Sequence, residues 1–214
     1  MCWSATADLV AGAAVTAVGV VCVARVVRAG RLRELPLAAL PLLLGVHQIV
    51  EAAVWRAGGG TGPAVTAWAV IAFPLAAVWV PAAVWSAAPP PAPRRLWAPA
   101  LVGLATAGVL AYRMTVRPVS ADVRGHTVGY GLDVPYAPLV IAAYLFATVG
   151  ALLLSGDRWL RLLGGVVAAG AVVCAAVWRL EFVSTWCAFA AVASVLLLGW
   201  TGRRHQRRRV ERPA

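Results

Sequence analysis

The sequence predicts an all-α fold, an integral membrane bundle of seven transmembrane helices with its N-terminus outside and its C-terminus in the cytoplasm. Composition is the first reason, because 62% of the residues are hydrophobic and only 13% are charged, whereas soluble proteins have roughly 45–50% and about 25%. The second reason is that the apolar residues form seven long stretches, and about 20 apolar residues cross the roughly 30 Å core of a bilayer. The third is an uneven distribution of arginine between the connecting segments.

Some of the seven stretches are long enough to span a membrane only when their uncharged flanks are included. The first lacks the positively charged start of a signal peptide, so we expect an uncleaved helix. The third contains Pro74 and Pro81, which predict a kink, and a proline-rich linker at 88–95 follows it. We expect a transmembrane domain at 1–202 and a basic tail at 203–214. In chain order, the predicted spans are 6–27, 35–56, 64–87, 96–113, 135–155, 160–178 and 183–201.

The arginines indicate which way the chain crosses the membrane. All 19 basic residues are arginine, and 14 of them lie in segments that would share one side with the C-terminal tail, against 5 on the other side. Cytoplasmic segments carry the excess of positive charge in membrane proteins. This distribution predicts the N-out, C-in orientation. The abundance of Ala, Val, Gly and Arg is typical of a GC-rich bacterial genome, so we expect a bacterial inner (cytoplasmic) membrane protein.

The net charge of +11 follows from the same segments and does not indicate a nucleic-acid partner. The tail at 203–214 holds six arginines directly after the last predicted span. An arginine near an anionic membrane surface contributes about 1 kcal/mol. The expected partners are therefore the lipid bilayer and anionic lipid headgroups at the tail, unless the tail serves only to fix the orientation. Protein partners are not predicted.

Three polar side chains interrupt the second predicted span, in the stretch GVHQIVEAAVW at 45–55. His47 and Glu51 are four residues apart and Gln48 and Glu51 are three apart, so all three share one helical face. A carboxylate that faces lipid near the bilayer centre costs about 2.5–3.5 kcal/mol. We therefore expect these side chains to face the interior of the bundle or a wet cavity. Ionisable residues in such places usually serve a function.

Other reactive side chains fall at the same, outer end of the predicted bundle. They begin the first span, lie in the loop before the fifth span, or begin the seventh. Together with the second span, they predict a polar cavity that opens outward. The further candidates for this cavity are Cys2, Ser4, Thr6, Asp8, His126, Tyr130, Asp133, Glu181, Ser184, Thr185 and Cys187.

Three interpretations of this polar cluster remain open. It can be a structural hydrogen-bond network, in which each bond contributes on average about 0.6 kcal/mol in a membrane. It can be a metal site with His47 and Glu51 as ligands, and His126, Cys2 or Cys187 would complete a set suited to zinc or copper. It can also handle a proton or a substrate through His47 and Glu51. A disulfide between Cys2 and Cys187 agrees with the sequence as well as two free thiols do.

The loop before the fifth span contains TVGYG at 127–131, which is the filter sequence of potassium channels. A filter follows a short apolar pore helix, but here the preceding stretch RMTVRPVSADVRG contains three arginines, an aspartate and a proline. Leu132 also separates the last glycine from the aspartate that follows it directly in channels. The surroundings favour a glycine-rich turn or a small hairpin that caps the outer cavity over an ion channel.

The chain resembles an uncharacterised family of bacterial multi-pass membrane proteins in the segments MCWSATADLVAGA, RELPLAALPLLLGVHQIVEAAVW and FVSTWCAFAAVASV. Members of that family typically begin Met-Cys-Phe-Ser-Ala-Thr, with a His-Gln…Glu…Trp stretch in the second helix and Trp-Cys in the last. This chain differs at Trp3 and Ala52, where Phe and Gly are expected. The resemblance implies the multi-pass architecture without naming a reaction. It singles out Cys2, His47, Gln48, Glu51, Trp186 and Cys187.

Two classes of function therefore follow from the sequence. In the first, the protein binds or senses a metal ion or a small ligand in the outward-facing cavity. In the second, it is a membrane-embedded enzyme in which His47 and Glu51 act as metal ligands or as acid–base groups. The sequence alone does not decide between them.

Overall fold

The computed structural model describes residues 4–89, 94–177 and 188–210. Within these residues the chain is mostly helical, and it forms seven helices and one two-stranded hairpin. Each helix coincides with one of the seven predicted spans, although several ends differ by a few residues. The helices are α1 (Ala5–Arg28), α2 (Leu32–Arg56), α3 (Pro63–Ala87), α4 (Arg94–Val116), α5 (Ala137–Leu153), α6 (Arg158–Val177) and α7 (Ala188–Val210).

Four of these helices, α1 to α4, are long and apolar enough to cross a membrane. The helix α5 and the part of α7 at Phe189–Gly202 are shorter apolar helices. Large apolar side chains are exposed on the outside, as at Val10, Leu104 and Leu139. The ionisable side chains Asp8, His47 and Glu51 within α1 and α2 are buried instead, whereas the exposed arginines of these helices lie near the helix ends. This arrangement is the reverse of a soluble protein and suits a chain whose outer surface meets lipid.

The glycines of α1 and α2 bring these two antiparallel helices into close contact. A Cβ atom at Gly45 would lie 2.7 Å from the backbone nitrogen of Thr16 and 2.8 Å from the carbonyl oxygen of Gly12. A Cβ atom at Gly19 would lie 2.6 Å from the backbone nitrogen of Leu42. Small residues at helix contacts let the backbones approach and gain dispersion energy, which is a common way of packing helices in membranes.

The helix α3 continues past both of its prolines without ending. Pro74 lies in a π-helical segment at Ile71–Leu75, whereas Pro81 lies in regular α-helix. The hydroxyl of Tyr144 in α5 donates a 2.6 Å hydrogen bond to the carbonyl oxygen of Ala72. The amide of Ala76 at the end of the π-helical segment donates to Ile71 and Phe73, so the Tyr144 hydroxyl gives the carbonyl of Ala72 a donor and ties α3 to α5.

The stretch TVGYG forms a strand rather than a filter loop. The strands β1 (Ser120–Arg124) and β2 (Thr127–Gly131) pair in antiparallel register, with Ala121 opposite Tyr130. The amide of Ala121 also donates to the carbonyl oxygen of Gly60 at 2.9 Å. In return, the amide of Gly60 donates to the carbonyl oxygen of Ala121 at 2.7 Å. The hairpin is therefore attached to the loop between α2 and α3, and the expectation of a small hairpin in this loop is confirmed.

The opposite end of the protein is held together by arginines. Arg31 is buried, pairs with Glu34 at 3.1 Å, and donates to the carbonyl oxygen of Thr201 in α7 at 2.9 Å. Arg25 donates to the carbonyl oxygen of Leu198 at 3.1 Å. Some arginines that the sequence assigned to orientation thus also join α7 to α1 and α2.

The contact between α1 and α2 can be tested at Gly45. We expect Gly45→Ala to lower the stability by about 1–3 kcal/mol, because the new methyl group has no room against α1. The matched control is Gly108→Ala in α4, where no atom lies within 4 Å of the added Cβ. Alanine favours the helix there by up to about 1 kcal/mol. Thermal unfolding of both variants in detergent is the measurement, and equal melting temperatures would contradict the packing.

Candidate functional site

The helix α2 carries the three polar side chains on which the site is built. His47, Gln48 and Glu51 are 6%, 2% and 0% exposed, so all three face the interior, as expected. The site lies towards the end of α2 that is followed by the loop at 57–62, and we call this the hairpin end of the protein. A fully buried carboxylate needs polar surroundings, because its transfer out of water is costly.

The helix α1 brings a second carboxylate to the same place. Ser4 caps the start of α1, since its side-chain oxygen accepts a hydrogen bond from the amide of Ala7 at 3.2 Å. This cap sets Asp8 in the first turn, and its side chain is 0% exposed. Gly12 of α1 lies against Ile49 of α2, so one turn further along each helix Asp8 comes to the part of α2 between Glu51 and Trp55. The α1–α2 contact thus brings two buried carboxyl groups to the same end of the helix pair.

Aromatic rings cover the other side of Glu51. Trp68 of α3 stacks on Tyr130 of β2, with ring centroids 3.4 Å apart and the planes 4° from parallel. The imidazole of His47 lies 4.8 Å from the Trp68 ring. The hydroxyl of Tyr130 donates a long, 3.5 Å hydrogen bond to Glu51 Oε1. The hairpin therefore closes the site by contributing Tyr130, and the surrounding apolar core fixes its position.

Several buried polar atoms of this cluster have no hydrogen-bond partner in the part of the chain that the structure describes. Leaving a buried polar group unpaired costs about 1–3 kcal/mol in proteins, and such groups are rare in native structures. Their concentration in one place marks a polar cluster whose members do not fully satisfy one another. They are both carboxyl oxygens of Asp8, Nδ1 of His47, both amide atoms of Gln48, and Nε1 of Trp55 and Trp68.

The other predicted candidates are placed differently. His126 is exposed in the turn between β1 and β2. Cys2, Glu181 and Cys187 lie outside the described residues, so the proposed disulfide and their part in a metal site stay predictions. Across residues 4–89, 94–177 and 188–210, no group of three or more His, Cys, Asp or Glu side chains is arranged to hold a metal ion.

The sequence did not single out Trp68, which lies at the centre of the aromatic group. A signal was present, because the loop at 57–62 is short. A short loop makes the helices on either side antiparallel neighbours, so that residues early in α3 face residues late in α2. That argument brings Trp68 near His47, but it does not fix the rotation of either helix about its axis.

A mostly helical chain with four helices able to cross a membrane and a polar cluster in its interior indicates a multi-pass membrane protein. The chain belongs to a family of unknown function, DUF6629, whose family model matches residues 1–212. Comparisons with curated proteins and with solved structures find no match. The family gives no reaction, so the function has to be argued from the site.

The attachment of the hairpin can be tested at Gly59. Both Gly58 and Gly59 have positive φ, 73° and 81°, where alanine is strained by about 1–2 kcal/mol. Only at Gly59 would a Cβ atom also clash with the carbonyl oxygen of Ala121. We expect Gly59→Ala to accelerate hydrogen exchange of the Ala121 amide more strongly than Gly58→Ala. Equal exchange in the two variants would show that the bridge does not hold the hairpin.

Proposed function

We propose that this protein binds a small polar ligand or an ion inside the membrane, in the cluster formed by α1, α2, α3 and the hairpin. The observation that carries the proposal is the set of buried polar atoms without partners, above all both carboxyl oxygens of Asp8 and both amide atoms of Gln48. A bound polar species would supply the missing hydrogen bonds. A structural network, by contrast, gains its stability from polar groups that satisfy each other.

The orientation forms part of the proposal. With the arginine-rich segments in the cytoplasm, the N-terminus and the hairpin end face outward, and the site receives its ligand from outside. The bacterial inner membrane is the proposed location. Anionic lipid headgroups are the proposed partners of the tail at 203–214, whose helix α7 continues to Val210.

The orientation is tested by fusing a reporter that is active only in the cytoplasm. The arginine distribution leads us to expect a signal from a fusion at Ala214 and none from a fusion at Met1. A silent C-terminal fusion beside an active N-terminal one would reverse the orientation and place the site towards the cytoplasm.

A second candidate is a metal site or a metal-dependent or acid–base enzyme. The observation in its favour is that His47 and Glu51 share a helical face and that Nδ1 of the buried His47 has no hydrogen-bond partner among the described residues. Neutral imidazole nitrogen is a common ligand of zinc and copper. Cys2 or Cys187 would have to complete such a site. Metal analysis of the purified protein, with Glu51→Gln as the variant, tests this candidate.

The binding proposal is tested by Gln48→Met, which keeps the length of the side chain and removes its polar atoms. Since neither amide atom has a described partner, we expect the variant to be as stable as the ligand-free wild type or more stable, by up to about 1–3 kcal/mol. Native mass spectrometry should show that a species co-purified with the wild type is lost from the variant.

The control is Gln206→Met, the same substitution in the basic end of α7, and it should keep the bound species. The opposite pattern would favour a purely structural cluster. In that case Gln48→Met destabilises the protein, and the wild type carries no bound species after gentle purification.

A further inference from the structure

The end of the bundle opposite the hairpin carries four exposed arginines that form no ion pair with any other residue in the described part of the chain. They are Arg94 and Arg95 at the start of α4, and Arg158 and Arg161 at the start of α6. The neighbouring carboxylate of Asp157 accepts hydrogen bonds from the amide of Trp159 at 2.8 Å and from Nε1 of Trp200 at 3.2 Å. Positive charge is therefore in excess at this end.

The side chain of Arg95 joins the two pairs of arginines into one surface. Its Nε donates a 2.7 Å hydrogen bond to the carbonyl oxygen of Leu154, just after α5. Its Nη2 lies 2.5 Å from the place that a Cβ atom would take at Gly156, two residues before α6. The helix α6 in turn packs on the end of α5, since a Cβ atom at Gly164 would lie 3.1 Å from Cδ2 of Leu153. The starts of α4 and α6 therefore flank the end of α5, and we call the face bordered by their four arginines the arginine surface.

Tryptophan indicates the depth of the arginine surface in the membrane. The side chain of Trp97 is 51% exposed and packs edge-on against Trp85 at the end of α3, with ring centroids 4.2 Å apart. Exposed indole rings favour the headgroup region, because they combine an apolar ring with a polar N–H group. Further along α4, Leu101 and Leu104 lie on the same helical face as Trp97 and are exposed, as is Leu162 of α6. The surface thus joins arginines at headgroup depth to leucines at the depth of the acyl chains.

These features select a lipid among the anions that arginines bind. Guanidinium groups donate paired hydrogen bonds to phosphate oxygens. A soluble phosphate would contact the arginines alone, whereas the acyl chains of a phospholipid would also cover the exposed leucines. A headgroup with a net negative charge is favoured over a zwitterionic one, because the ammonium group of the latter lies beside the arginines and repels them.

We infer that the arginine surface binds an anionic phospholipid, with its phosphate group among the four arginines and its acyl chains along Leu101 and Leu162. The bound lipid links the starts of α4 and α6 across the end of α5. The site includes neither the basic tail at 203–214 nor the polar cluster at the hairpin end, so the inference goes beyond the proposed function.

The test uses the full-length protein in detergent and three probes, which are added one at a time. They are phosphatidylglycerol, phosphatidylcholine with the same acyl chains, and glycerol 3-phosphate as a soluble headgroup. Native mass spectrometry measures the bound fraction of each. We expect phosphatidylglycerol to bind at least about tenfold more tightly than the other two, because phosphatidylcholine has no net charge and glycerol 3-phosphate has no acyl chains.

Two double variants locate the bound lipid. Arg94→Gln with Arg161→Gln removes two charges from the arginine surface, and the matched control, Arg207→Gln with Arg208→Gln, removes two from the tail. Since one arginine contributes about fivefold to binding near an anionic headgroup, we expect the surface pair to weaken phosphatidylglycerol binding about 25-fold. The tail pair should leave the most tightly bound lipid unchanged.

The surface pair should keep the elution volume and the melting temperature of the wild type without lipid, because both arginines are exposed and form no ion pair within the described residues. If it does not fold, Arg158→Gln alone replaces it and should weaken binding about fivefold.

Every other outcome overturns the inference. Phosphatidylcholine that binds as tightly as phosphatidylglycerol removes the role of the charge, and glycerol 3-phosphate that binds as tightly removes the role of the acyl chains. A larger loss in the tail pair than in the surface pair leaves the tail as the lipid contact, and equal losses in both indicate attraction by net charge alone. A wild type that does not bind phosphatidylglycerol has no such site. None of these results bears on the polar cluster at the hairpin end.

Discussion

The close contact between α1 and α2 is the constraint on which the site depends. Without side chains at Gly12, Gly19 and Gly45, the two backbones come into close contact, and this contact brings Asp8 and Glu51 to the same end of the helix pair. Neither carboxylate belongs to a loop that could adjust to a partner. Both are held on rigid helices, one turn from the ends that meet at the loop side, so their separation is set by helix packing. Sites held on rigid elements keep their geometry more accurately than sites on loops.

The hairpin covers one end of the helices, which the helices themselves leave open. Helices that meet only along their length leave their ends open, and here β1 and β2 cover the end at which α2 and α3 are joined. Gly59 and Gly60 let the connecting loop approach β1 closely enough for two backbone hydrogen bonds. The same hairpin places the hydroxyl of Tyr130 against Glu51, where it donates a 3.5 Å hydrogen bond to Oε1. The hairpin that is bonded to the loop at 57–62 is therefore the same element that contributes Tyr130 to the site.

Much of the fold was accessible from the sequence, because the length of an apolar stretch is a local property. The positions of the seven helices and the burial of His47, Gln48 and Glu51 follow from counting residues and from helical periodicity. The end of α7 was placed at 201, whereas the helix runs to Val210, since arginine is a good helix former outside the membrane as well. The stacking of Trp68 on Tyr130 could not be predicted. It depends on the rotation of α3 about its axis and on how the hairpin folds back, and neither is a local property.

The distribution of polar and apolar atoms argues that the cluster is kept for more than folding. On the outside, valine and leucine side chains are exposed, which costs nothing against lipid. Inside, a carboxylate and a carboxamide lack described partners, although an apolar side chain of similar volume would pack there without that cost. A protein that tolerates such a cost at one place, next to a hairpin that encloses it, has the features of a site whose stability is completed by what it binds.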